Sequence, residues 1–175
     1  MSLAIRPIRL HWLPNQPDPH DLCAHAGVQV LQGEHSLIAE ASPAFAVSTG
    51  ALHLLRALKQ DHTLESPLAE HLIPHCGHFM VLTPDTRQLT NVGCPTGLNW
   101  WIRHQGIQVL LQFGDHTQFI VSQGEWRVAV TEFSSQIMAF YDASALKLPA
   151  PDDAEWYAAF LNEWHQRHSD ALAAV

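Results

Sequence analysis

The stretch HLIPHCGHFM, residues 71–80, carries three histidines and one cysteine within eight positions. Imidazole and thiolate are the ligands that zinc prefers in structural sites. His71 and His75 are four residues apart, as two ligands on one helical face would be, but Pro74 lies between them and disfavours helical geometry. We therefore predict that a helix ends near residues 72–73 and that these histidines do not form one helical cluster.

A predicted hairpin brings a better set of ligands together. If its turn consists of residues 84–86, Cys76 lies opposite Cys94 in the antiparallel pair, and His78 is on the same face. These three side chains, with His75 or His71 as a fourth, would form a structural zinc site.

The register of this hairpin decides between two interpretations. A two-residue turn would pair Cys76 with Gly93 instead, because one residue of slip changes every pair. In the alternative interpretation Cys76 and Cys94 are small buried thiols, and His75 and His78 are capping or surface residues. We adopt this alternative and predict no metal and no cofactor, with zinc as the competing hypothesis.

Signatures of common catalytic sites are missing from the sequence. It contains no GxSxG elbow, Walker loop, GxGxxG fingerprint or HExxH pair. Cys76 followed by His78 suggests a thiolate–imidazole pair, but catalytic pairs normally come from separate elements. We predict that the protein is not an enzyme.

Composition narrows the class of partner. Nine Lys and Arg against 17 Asp and Glu give a net charge of −8, without a basic stripe, so we predict no nucleic-acid binding. An acidic surface suits a basic partner, although it also keeps a protein dispersed.

No apolar run approaches the ~18 residues of a membrane span, and the N-terminal segment lacks the pattern of a signal peptide. Three cysteines without CxxC spacing indicate reduced thiols, so we expect a cytoplasmic protein.

The hydrophobic pattern predicts a single α+β domain over residues 1–175. From residue 78 onward, apolar stretches broken by turn residues indicate an antiparallel meander of about six strands. Its last strand includes Trp126, Val128 and Val130, which alternate with polar or small residues. Helices predicted at 48–62, 132–144 and 151–172 would pack on this sheet, and strands are predicted at 5–13, 27–31 and 36–40.

Two adjacent tryptophans are candidates for partner binding. Trp100 and Trp101 lie on opposite faces of their predicted strand, so one indole belongs to the core and the other is partly exposed. An exposed indole is a common anchor in protein interfaces. With the acidic residues Asp115 and Glu125, they make up the predicted partner-binding set.

The segment GCPTGLNWWIRHQGIQVLLQF, followed by EFSSQIMAFYDASALKLPAPDDAEWYAAFLNEWHQRH, shows a Gly-Cys-Pro turn, a Trp-bearing strand and two helices. In this layout, residues 66–168 resemble small bacterial immunity proteins of polymorphic-toxin systems. The resemblance implies a non-enzymatic protein that binds and neutralises one cognate toxin, for instance a basic nuclease, and it transfers no functional residues. The alternative is a zinc-containing domain or small metal-dependent hydrolase organised by Cys76, His78 and Cys94. The oligomeric state stays open.

Overall fold

The structure, a computed structural model, describes residues 2–77, 80–92, 95–114 and 116–174, with the backbone alone over 39–44. A short 3₁₀ helix occupies Asp18–His20. The regular elements of the described residues are β1 (Leu3–His11), β2 (His25–Gln32), β3 (His35–Ala46), α1 (Val47–Arg56), β4 (Ile73–Pro74), β5 (Met80–Leu82), β6 (Leu89–Asn91), β7 (Gly97–Leu98), β8 (Trp101–Gln105), β9 (Gln108–Gln112), β10 (Gln118–Ser122), α2 (Gln123–Asp142) and α3 (Ala154–Ala173).

The predicted α+β class with three helices is confirmed, but the single six-stranded meander is wrong. The described strands form four small antiparallel sheets, ordered β1-β2-β3, β10-β9-β8, β4-β7 and β5-β6. The β4–β7 pair consists of only two residue pairs, Ile73 with Leu98 and Pro74 with Gly97. Just beyond these pairs, the N–H of His75 donates to the carbonyl of Thr96 at 3.0 Å.

The segment predicted as the last meander strand, residues 125–133, lies inside α2. Trp126 and Val130 are four residues apart and so fit either a strand or a helix, but Val128 is 51% exposed and is not on their face. Ser122 begins the helix with a capping box: its hydroxyl accepts from the N–H of Glu125, whose carboxylate accepts from the N–H of Ser122. Both bonds satisfy donors that the first helical turn leaves free.

The hydrophobic core contains residues of the three helices, of the β1–β2–β3 sheet and of the β8–β9–β10 sheet. α2 packs on β1 and α1, and every residue of α1 is buried. On α3, Trp156, Phe160 and Trp164 are four residues apart and are all buried. No helix of the described chain is long and apolar enough to cross a membrane.

An ion-pair network ties α1 to α3. The guanidinium of Arg56, at the end of α1, donates to both carboxylate oxygens of Glu163 at 2.8 and 2.7 Å and to the carbonyl of Leu89 at 2.9 Å. Arg167 donates to the same carboxylate at 2.7 Å. The network satisfies a guanidinium that is largely removed from water.

Candidate functional site

The β8–β9–β10 sheet has one buried and one exposed face. Gly106, with φ +61°, begins the two-residue turn that joins β8 to β9 and so fixes their register. The buried face carries aliphatic side chains that include Ile102 and Val109. The register places nine side chains of the other face in three rows, namely Trp101, Gln112 and Gln118; Arg103, Leu110 and Ile120; and Gln105, Gln108 and Ser122. We call these nine side chains the sheet face.

A groove of about 330 Å³ lies over the sheet face. The segment of residues 63–65 forms one wall, and Trp101, Arg103 and Leu110 are among the residues that line the groove. An isolated bridge between His62 and Ile102 holds this segment against β8. The groove therefore combines residues that are about forty positions apart in the sequence.

The indole of Trp101 is partly exposed and is supported from one side. The imidazole of His62 stacks on it, with ring centroids 5.2 Å apart and an interplanar angle of 27°. His62 is buried and fixed: its Nδ1 accepts from the N–H of Leu68 at 3.0 Å, and its Nε2 lies 2.8 Å from Oδ1 of Asn99. Because of this support, Trp101 offers a surface whose position is set before any partner binds.

Charges of both signs flank the indole. Arg103 on β8 and Glu65 on the wall segment are both exposed. A hydrogen bond from its own backbone N–H, a bond from the side chain of Thr63 and the nearby guanidinium of Arg103 lower the pKa of Glu65. Glu65 is therefore a carboxylate at neutral pH. An indole, a guanidinium, a carboxylate and amide groups can make apolar, charged and hydrogen-bonding contacts with a partner.

The predicted partner-binding residues lie in different environments in the structure. Trp101 lies in the groove, whereas Trp100 is 1% exposed and stacks on Phe113 with centroids 5.8 Å apart, so its proposed role as a surface anchor is wrong. Glu125 is half-buried, and its carboxylate is engaged in the capping box of α2. Asp115 lies outside the described residues.

The hairpin that was predicted to bring the zinc ligands together has a different register. Neither predicted turn is correct, because Met80 pairs with Asn91 across a longer connection. His78 and Cys94 lie outside the described residues. His75 is exposed, and its Nδ1 is 3.4 Å from the sulfur of the half-buried Cys76. In the parts of the chain that the structure covers, no group of three or more His, Cys, Asp or Glu side chains is placed to hold a metal ion.

Sequence reasoning missed Arg103 and Glu65. The signal for Arg103 was its spacing, since residues two apart in a strand share a face and Trp101 was already a candidate. Glu65 gave no comparable signal, because a long-range contact brings its segment to the sheet. Searches of family models, curated proteins and solved structures found no match to this chain.

Proposed function

We propose that this protein is a non-enzymatic binding protein that recognises a bacterial toxin through the sheet face and neutralises it. The proposal depends on one observation: a partly exposed indole, supported by the buried His62, opens into a groove between Arg103 and Glu65. Tryptophan and arginine are the residues most enriched among those that contribute most to binding energy in protein interfaces.

The shape and composition of the sheet face favour a protein partner. Three rows on three strands cover about 10 by 14 Å, which is the size of an interface centre rather than of a small-molecule cavity. Leu110 contributes apolar surface there, and Ile120 is 57% exposed. Apolar groups surrounded by amides and by single charges of each sign are typical of the surfaces that bind proteins reversibly.

Two features support a toxin as the partner. Residues 66–168 resemble immunity proteins in layout, and this range includes the whole sheet face. The net charge of −8 favours association with a basic protein, because attraction between opposite charges raises the rate of encounter. In this proposal Glu65 supplies a negative charge beside the indole.

The test uses the toxin domain encoded by the neighbouring gene. Cells expressing that domain are expected to survive when the wild-type protein is co-expressed, and the two proteins are expected to co-purify. Trp101→Ala is expected to weaken binding by at least about 30-fold, the effect of a residue that contributes about 2 kcal/mol. Arg103→Ala, at an exposed position, is expected to weaken binding without affecting folding.

Val128→Ala is the matched control, because Val128 is an exposed apolar residue on α2. It is expected to bind like the wild type. Failure of the wild-type protein to bind or protect would exclude this toxin as the partner. Tight binding that neither Trp101→Ala nor Arg103→Ala weakens would show that the sheet face is not the interface.

A further inference from the structure

The segment that joins α2 to α3 buries its charge and exposes its apolar side chains. Leu146 is 84% exposed and Leu148 is 51% exposed, whereas the side chain of Lys147 between them is only 6% exposed. Lysine is among the residues most rarely buried, and leucine is among those most often buried. We call residues 144–148 the strap; its pattern is the reverse of the usual one.

The strap is fixed in this orientation by the N-terminal segment. The ammonium of Lys147 donates to Oδ1 of Asp18 at 2.5 Å and to the carbonyl of Asp18 at 2.7 Å. The same nitrogen lies 3.1 Å from the ring centroid of Trp12, in a cation–π contact. One position later, the N–H of Leu148 donates to the carbonyl of Pro19 at 2.7 Å. These contacts hold both leucines outward.

An apolar groove lies beside the strap. It has a volume of about 370 Å³, and the residues that line it include Met138, Leu146, Tyr157 and Leu161. The exposed Asp142 also lines it. The ammonium of Lys147 is already neutralised by Asp18, and no described residue forms an ion pair with the carboxylate of Asp142 at this groove.

We propose that the strap and this groove form a docking surface for a protein segment that presents apolar side chains next to lysine or arginine. Exposed apolar groups bordered by polar ones mark interaction sites. Leu146 and Leu148 are already held in place, so binding loses little of their conformational freedom. The carboxylate of Asp142 complements a basic segment, and so does the overall charge of −8. This surface is separate from the sheet face and does not rest on the toxin proposal.

The experiment measures binding of two fluorescein-labelled amphipathic helical peptides by fluorescence anisotropy. Both contain about 14 residues with leucine on one face; the other face carries lysine in one peptide and glutamate in the other. The Leu/Lys peptide is expected to bind at least about tenfold more tightly than the Leu/Glu peptide. Asp142→Asn is expected to weaken its binding and to reduce the dependence on salt.

The deciding variant is Leu146→Ser combined with Leu148→Ser, which keeps the net charge and changes exposed positions only. It is expected to bind the Leu/Lys peptide at least about tenfold more weakly than the wild type. Unchanged binding by this variant would show general attraction to an acidic protein and would overturn the proposal. Absence of binding to the wild type, or equal affinity for both peptides, would overturn it as well. Arg103→Ala, on the sheet face, is expected to bind the peptide normally.

Discussion

His53 is a buried histidine whose surroundings require its neutral form. It lies in α1 and is 2% exposed, and its Nδ1 is 3.1 Å and 3.2 Å from the carbonyls of His71 and Leu72, to which it donates. Burial is the main cause that lowers its pKa, and the guanidinium of Arg56, one turn along the helix, adds to the effect. Protonation of His53 would place a second positive charge in a region shielded from water.

The resulting loss of stability in acid can be calculated. The pKa of His53 falls from 6.5 to about 4. Between these values the unfolded chain binds more protons at this position than the folded protein does, so the free energy of unfolding decreases as the pH falls. At 1.36 kcal/mol per pKa unit, the loss reaches about 3 kcal/mol below pH 4, and about 2 kcal/mol of it occurs between about pH 7 and pH 5.

Urea unfolding at these two pH values, followed by tryptophan fluorescence, measures this loss. The matched variant is His53→Asn, because an amide nitrogen can donate to the same carbonyls but does not titrate. The wild type is expected to lose about 2 kcal/mol more than His53→Asn. His62 and His168, whose pKa values burial also lowers, contribute to both proteins equally. Equal losses in the two proteins would refute the reasoning, as would an NMR titration of wild-type His53 near its ordinary pKa.

Two further predictions concern packing and charge. Gly77→Ala would place a methyl group 2.6 to 2.8 Å from three side-chain atoms, so it is expected to lower the free energy of unfolding by about 1–3 kcal/mol. In Gly114→Ala the added methyl group meets no atom within 4 Å, so this variant is expected to have little effect. Glu163→Gln deprives the largely buried Arg56 of its ionic partner and is expected to cost about 2–4 kcal/mol. Glu155→Gln, which breaks an exposed ion pair, is expected to cost less than about 1 kcal/mol. Thermal unfolding measures all four, and equal losses within either pair would contradict the role assigned to burial.

The helices show how far a hydrophobic pattern determines structure. On α3, Trp156, Phe160 and Trp164 are four residues apart and would fit either period, but Tyr157 and Leu161 directly follow two of them, which fits only a helix and gave the correct prediction. At the start of α2, the buried pair Trp126 and Val130 fits both periods, so the pattern alone cannot decide. The sequence held a second signal there: Ser122 and Glu125 have the spacing of a capping box, which favours a helix start.

Only the part of the candidate site that lies within one strand could be predicted from the sequence. Adjacent tryptophans in a strand must lie on opposite faces, and the structure buries Trp100 and opens Trp101 to a groove. Which of the two is exposed depends on which face of the sheet packs on the core, and the wall beside Trp101 depends on the bridge between His62 and Ile102. Contacts over such sequence distances leave no local pattern, so neither Glu65 nor the support behind Trp101 could be inferred.

The hydrogen bonds of His62, the residue behind Trp101, determine which of its ring nitrogens carries the proton. The N–H of Leu68 can only donate, so Nδ1 of His62 must accept and the ring proton must lie on Nε2. Nε2 then donates to Oδ1 of Asn99, an atom identified as oxygen because it also accepts from the N–H of Leu72. If Nδ1 were protonated, its N–H would face the N–H of Leu68, and the hydrogen bond between them would be lost. Burial lowers the pKa of His62 in keeping with this, so Trp101 is supported by a neutral ring for the same physical reason that makes His53 sensitive to acid.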